Sequence, residues 1–227
     1  MSHSIDFSSV LAAAVHDMKN SLSLLMQTLE SLDSAIEPDN HDARQQLANV
    51  HYESARLNTG LVQMLSLYRA ELSGLPLNID EHFIDDLCAE LEGANASYIA
   101  QRKVVLSFDF DENLSWFFDK DLIFLLLNDV LINAMRYGNE HIHLSAHVAD
   151  NMLEVKIEDD GPGYPQTMLD QCNSELADFN LSQGRTGLGL FFAKMIANAH
   201  NNQGKQGEIA LSNGGKFGGS VFQVKLP

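Results

Sequence analysis

Four short stretches of this chain bring together residue types that do chemistry. The first is Val15-His16-Asp17-Met18-Lys19-Asn20. A neutral imidazole is a nucleophile near pH 7, and Asp17 beside His16 can accept its ring N–H and raise that nucleophilicity. The second runs from Asn128 to Tyr137, where Asp129 and Asn133 lie four apart and so share one helix face. Both offer oxygen of the kind Mg²⁺ accepts beside nucleotide phosphates. Arg136 and Tyr137 add a cation and an aromatic plane one turn on. The third, Glu158-Asp159-Asp160-Gly161-Pro162-Gly163, ends a strand. A carboxylate there can accept a bond from an exocyclic amine such as adenine's, while the glycines let backbone approach closely. The fourth, Gly184-Arg185-Thr186-Gly187-Leu188-Gly189-Leu190, opens a helix whose free N–H groups and dipole favour phosphate. It is not a Walker loop, because no Gly-Lys-Ser/Thr follows. Each stretch alone has a plainer use: a surface histidine, a polar stripe, an acidic turn, a glycine helix start. Their order along one chain carries the weight.

The elements that must position these residues fall into two halves. Residues 5–72 are helical in pattern, with apolar positions Leu11, Val15, Met18, Leu22, Leu25, Leu29, Leu32 and Ile36 alternating 4 and 3 apart. That is a heptad seam. Glu37-Pro38-Asp39-Asn40 breaks it, and Leu47, Val50, Ser54, Leu57, Leu61, Met64 and Tyr68 resume it. Two helices of roughly 45 Å joined by a short turn make an antiparallel hairpin, and each buries only one side against the other. Pairing two hairpins into a four-helix bundle covers the rest, so the sequence predicts a homodimer through residues 1–72.

Ser73-Gly74-Leu75-Pro76 opens a linker, placed at 73–78, and the pattern then changes. Over residues 79–227 the sequence predicts helices at Asp80–Gln101, Asp119–Tyr137 and Gly187–Asn201. Strands are expected at Val104–Phe110, Glu140–Val148, Met152–Glu158, Glu208–Leu211 and Gly219–Leu226. Gly161–Thr186 reads as loop. The fold class is therefore an α-helical hairpin followed by an α/β sandwich of about five strands and three helices. His141, His143 and His147 alternate along one strand, and an exposed strand face is favoured over a metal site there.

In order, the four stretches resemble the catalytic core of a two-component sensor histidine kinase. The signature is His-Asp-x-x-Asn, Asn-Ala-x-Arg-Tyr, Asp-x-Gly-x-Gly and Gly-Leu-Gly-Leu, with Gly218-Gly219-Ser220 to Pro227 similar to the family's closing glycine box and strand. The resemblance covers essentially the whole chain. It implies ATP and Mg²⁺ as cofactors, His16 as phosphoacceptor, Asp17 as its acid/base partner and Asn20 as the residue that positions water in phosphatase action. It makes Asn133 the Mg²⁺ ligand with Asp129 beside it, and Asp159 the reader of the adenine amine. Arg136, Tyr137, Gly161, Gly163, Thr186, Gly187 and Gly189 would complete the nucleotide pocket. A response-regulator receiver domain is the implied acceptor of phosphate. Asp129 stands where the family often has asparagine, and Arg185 where it often has glycine. The segment from Gly163 to Gly184 is short, with Phe179 its one candidate aromatic.

Two other readings compete. A histidine phosphotransfer protein would keep His16 beside a degenerate, non-ATP-binding second domain, and the intact glycines and carboxylates argue against it. An ATPase or serine kinase of the wider superfamily leaves the hairpin and His16 without a role. Composition narrows the classes further. The formal net charge is −17, with 14 Lys+Arg against 31 Asp+Glu, which argues against nucleic acid or an anionic membrane surface. The two cysteines are too few for a disulfide scaffold, and no apolar run approaches the roughly 20 residues of a membrane span. A cytoplasmic location follows as an expectation. With 227 residues given to a hairpin and an ATP domain there is no room for a sensor, so either the input domain was left out of this chain or the signal arrives through a separate sensor protein.

Overall fold

The computed structural model describes residues 7–37, 40, 42–47, 49–50, 53–54, 57–61, 64, 75–174 and 187–227. The chain divides into two compact units, Met1–Gly74 and Leu75–Pro227.

In the first unit, α1 spans Phe7–Ala35. The second run of helix begins at residue 42, where the Asn40 side chain caps it by accepting the Ala43 N–H at 3.1 Å. The heptad seam splits cleanly. Leu22 and Ile36 are half-buried and Leu29 is buried, and Ser54 is buried between half-buried Leu47 and Leu61. The alternate set, Met18, Leu25 and Leu32 with Val50, Leu57 and Met64, is 41% to 57% exposed. One half of the seam closes within the chain, and the other half faces outward.

In the second unit, a five-stranded sheet runs in the order β2-β4-β5-β9-β8. These strands are β2 (Val105–Asp109), β4 (His141–Ala149), β5 (Met152–Asp159), β8 (Glu208–Asn213) and β9 (Ser220–Leu226). Only the β2–β4 pair is parallel. The β4–β5 hairpin turns at Asp150 and Asn151, both with positive φ (52° and 58°), the backbone that matches a two-residue turn to strand twist. Alternation then does the rest. Leu144, Ala146, Val155, Ile157, Phe222 and Val224 face one side and are buried. Against that side lie α2 (Ile84–Arg102), α3 (Lys120–Tyr137) and α5 (Gly187–Ala199), which supply Leu87, Leu91, Leu127, Leu131, Phe192 and Ile196. Each such side chain contributes about 1.5–3 kcal/mol by leaving water. The opposite side of the sheet carries polar residues.

Five elements differ from the sequence reading. Asp80–Phe83 is a strand (β1), not the start of a helix, because it pairs antiparallel with β3 (Ser115–Phe118), a strand the sequence reading missed. An α-helix, α4 (Gln166–Asn173), lies in the stretch read as loop, started by Pro165. A short ribbon of β6 (Asn201–Asn202) and β7 (Lys205–Gln206) follows α5. All five are short, and the β1–β3 pair is settled by a partner more than thirty residues away.

One buried polar knot ties three of these elements. Asp119 caps α3, accepting Leu122 N–H on Oδ1 at 3.0 Å and Asn78 N–H on Oδ2 at 2.7 Å. The Asp119 N–H in turn donates to Nε2 of His200, whose Nδ1–H donates to Ile196 O at 2.8 Å. His200 is 3% exposed and must be neutral to accept that bond. Burial lowers its pKa from 6.5, against the pull of Ile196 O and the Asp119 charge. The folded state therefore favours the neutral ring, so this contribution is complete above pH 6.5 and is lost as pH falls from there toward the lowered folded value. The melting temperature of His200→Gln is expected to lose part of the wild-type decline between pH 7 and pH 5. Parallel profiles would refute this.

Candidate functional site

The third sequence stretch becomes a turn built around two carboxylates with different duties. Asp159, the last residue of β5, is 4% exposed. Its Oδ1 accepts the N–H of Gly161 at 2.8 Å and of Ser220 at 3.0 Å, and its carbonyl accepts Gly219 N–H at 3.1 Å. Both side-chain bonds fall on Oδ1, which leaves Oδ2 to meet a ligand donor. Asp160 instead staples the turn after α3. Its carboxylate accepts the backbone N–H groups of Asn139, Glu140 and His141 and faces the His141 ring at 3.1 Å. Burial pushes the Asp160 pKa up, but those bonds outweigh it and bring it down to about 2. The adjacent acids thus separate into one that keeps an oxygen over and one that staples the turn.

Glycine is required at this turn by space. A Cβ on Gly219 would sit 2.4 Å from Asp159 O and Oδ1, and one on Gly161 would sit 2.6 Å from Tyr137 O. The end of α3, the Gly161 turn and the start of β9 therefore meet at backbone contact. Gly163 has φ +84°, and a side chain there would strike Asn213. Asn213 clasps the next residue from both sides, accepting Tyr164 N–H at 2.7 Å and donating to Tyr164 O at 3.0 Å. Sequence reasoning missed both residues. Burial and the neighbouring Asp159, Cys172 and Asp129 raise the Tyr164 phenol well above its ordinary value. Tyr164 thus lies close to two carboxylates named from separate motifs.

Asp129 and Asn133 stand one turn apart on α3, both half-buried. Leucines on the other faces of α3 fix its rotation: Leu126, Leu127 and Leu131 are buried. Asn128, next to Asp129, is tied back to α2 by the Asn95 amide at 2.7 Å. Arg136 is half-buried, and its guanidinium lies 5.3 Å from the Tyr137 ring, itself exposed. Gly187 opens α5 and Gly189 is half-buried in its first turn. Thr186, like Gly184, Arg185 and Phe179, lies outside the described residues. His16, Asp17 and Asn20 all fall on α1, with Asp17 and Asn20 exposed; the side chain of His16 lies outside what is described.

The residues present fit a nucleotide and a hard cation. Backbone packed too tightly for any Cβ surrounds the Asp159 carboxylate, and Asp129 and Asn133 supply oxygen donors of the class Mg²⁺ takes. The strand histidines fit a metal less well. His141 and His147 are exposed beside Asp160 and Glu154, as an ordinary strand face would have them. His143 departs from that expectation: it is 5% exposed and bonded to Ser107 Oγ at 2.9 Å. No group of three metal-ligating side chains occurs among the described residues. Nor does any described helix have the length and apolarity to cross a membrane.

Comparison with known proteins agrees with this geometry. Residues 118–227 match the family of histidine kinase-, DNA gyrase B- and HSP90-like ATPases. Sensor protein SrrB of Staphylococcus aureus is 28% identical over 96% of the chain, which spans 37% of SrrB's length. Among solved structures, the histidine kinase AdeS of Acinetobacter baumannii superposes with a TM-score of 0.60 at 23% identity, covering 93% of this chain and 96% of AdeS. Full-length ShkA in complex with AMPPNP gives a TM-score of 0.61 at 15% identity, over 96% of this chain and 45% of ShkA. Those two likenesses speak for the fold. The Asp159 turn lies inside the stretch that matches this ATPase family, and the likeness to sensor protein SrrB runs along nearly the whole chain.

Proposed function

We propose that this chain is an ATP-dependent, autophosphorylating protein-histidine kinase. Residues 1–72 serve as dimerisation and phosphoacceptor hairpin, 73–78 as linker and 79–227 as the ATP-binding domain. The observation that carries the reading is the buried Asp159 carboxylate, held by two N–H groups on one oxygen and walled by glycines that admit no side chain. Its Oδ2 accepts the adenine amine. Tyr137, Gly161, Gly163, Thr186, Gly187 and Gly189 shape the pocket, and Arg136 adds a cation for the phosphates. Asn133 and Asp129 hold Mg²⁺, which neutralises charge on the phosphates when bound.

On α1, His16 is the nucleophile. Asp17 accepts its ring proton as the imidazole attacks the γ-phosphorus; the N–P bond forms as the P–O bond to ADP breaks. Most of the catalysis is positioning and charge neutralisation. Asn20, four residues beyond His16, positions water for phosphatase action. The phosphoryl group then passes to an aspartate of a response-regulator receiver domain. The chain works in the cytoplasm.

The outward half of the heptad seam supports a homodimer. Leu25, Leu32, Val50 and Leu57 sit in water on one chain, and a second hairpin would cover them as a four-helix bundle. Leu25→Glu with Leu57→Glu is expected to shift the protein from dimer to monomer in analytical ultracentrifugation. An unchanged dimer would contradict it.

Calorimetry with Mg²⁺ and ATP tests the nucleotide reading directly. Saturable binding at one site per chain is expected. No binding would turn the chain into a phosphotransfer protein with a dead second domain.

A further inference from the structure

The side of the sheet away from the helices is not a plain solvated surface. Two arms rise from it and leave a cleft of about 760 Å³ between them. One arm is the β8–β9 turn, where Lys216 donates its backbone N–H to Glu158 Oε1 at 2.9 Å. Gly215 in that turn has φ +59°, and a Cβ there would meet the Glu158 and Val221 side chains. The other arm is the chain leaving β2, with Asp109, Phe110 and Asp111. This site shares no residue with the nucleotide pocket described above.

Strand register lays out the floor. Asp109 pairs with Ser145, Ser145 with Lys156, and Lys156 with Gln223, so these four form one row across β2, β4, β5 and β9. The neighbouring row holds Ser107, His143 and Glu158. His143 is buried beneath the Lys216 arm: its Nδ1 meets Ser107 Oγ at 2.9 Å and its Nε2 meets Lys216 Nζ at 3.3 Å. That bond requires a neutral ring and uses one of the three ammonium hydrogens of Lys216. Among the described residues Lys156 has no hydrogen-bond or ion-pair partner, and neither do the carboxylates of Asp109 and Asp111. By contrast Glu154, further along the same face, is already paired with Lys225 and His147. Lys156 and Lys216 lie over β5, where the Glu158 carboxylate is held by the Lys216 backbone N–H, and two further carboxylates, of Asp109 and Asp111, lie at the β2 edge.

We propose that this cleft binds a small zwitterion of the amino-acid type. Its carboxylate lies between Lys156 and Lys216, its ammonium faces Asp109 and Asp111, and the Ser145 hydroxyl lies between. A second anionic group on the ligand would meet Asp109, so a dicarboxylate is excluded. The Lys216 arm continues into Gly219 and Ser220, whose N–H groups hold Asp159. Occupation therefore changes nucleotide affinity, a consequence that rests on the reading of Asp159 as the adenine acceptor.

Amide NMR of the full chain without nucleotide tests the binding, with 4-aminobutyrate as probe and butyrate as its counterpart lacking the ammonium. Saturable shifts at Ser145, Lys156 and Lys216 are expected with 4-aminobutyrate, and weaker binding with butyrate. Lys156→Ala should weaken 4-aminobutyrate by about fivefold, an exposed ion pair's share. Asp109→Asn, which leaves the sheet intact, should erase the preference over butyrate. No saturable shift, shifts unchanged in Lys156→Ala, or equal binding of the two probes would overturn the assignment. ADP affinity should then change about fivefold with saturating 4-aminobutyrate. An unchanged affinity would remove the coupling. Failure of ADP to bind at all would count against the nucleotide reading and leave the cleft shifts standing.

Discussion

His16→Gln is expected to abolish labelling of the protein by γ-labelled ATP and to leave ATP affinity as it was. Glutamine keeps a polar side chain of similar length on α1 but has no nucleophilic nitrogen, since its amide lone pair is delocalised. The effect is total because no other group inherits the role: Asp17 is one residue away and on another helix face. Nucleotide affinity is preserved because every group assigned to the pocket lies in the second unit. Asp17→Asn provides the graded companion. It keeps the shape and removes the base, so the labelling rate should fall by roughly 10²-fold, the low end of general-base contributions. Residual histidine labelling in His16→Gln would move the phosphoacceptor elsewhere.

Asp159→Asn is expected to weaken ATP binding by roughly 10²-fold and to relax the choice of base. The isosteric amide can keep its oxygen toward the N–H groups of Gly161 and Ser220, which preserves the turn. Its NH₂ then occupies the place of Oδ2 and points a donor at the adenine amine, also a donor. Two buried donors facing each other lose a charge-assisted bond and leave both unsatisfied. Inosine triphosphate carries a carbonyl where adenine has its amine, so the variant should bind it at least as well as ATP. Equilibrium titration with both nucleotides reads the inversion. ATP affinity within threefold of wild type would remove Asp159 from base recognition.

The sequence carried a great deal of this fold because its long elements have unambiguous periods. The alternation in Glu140–Val148 and Met152–Glu158 reappears as β4 and β5 with one-residue changes at the ends, and the Asp150–Asn151 turn falls where it was expected. Short elements were another matter. Ser115–Phe118 is four residues whose strand identity comes from pairing with Asp80–Phe83, more than thirty positions away. His143 was read as one of three equivalent strand histidines. What buries it is the Lys216 arm, some seventy residues later in the chain.

The site divides in the same way. Asp159, Gly161 and Gly163 announce themselves because turn glycines beside a carboxylate are a local signal, and the structure supplies the reason in the clash each Cβ would cause. Asn213 and Tyr164 are silent in sequence, because their roles arise from the closure of β8 against the turn. Adjacent Asp159 and Asp160 look interchangeable in sequence. Their hydrogen bonds separate them: Asp160 is occupied by three backbone N–H groups, and Asp159 keeps one oxygen available.

The central claim is that His16 attacks the γ-phosphorus of ATP bound at Asp159. The most direct measurement is to incubate the full chain with γ-labelled ATP and Mg²⁺ and follow the product in acid and in alkali. A phosphoramidate on imidazole nitrogen predicts label that is lost in acid, survives alkali and maps to the peptide containing His16. Acid-stable label, label on another peptide, or none despite bound nucleotide would contradict the account.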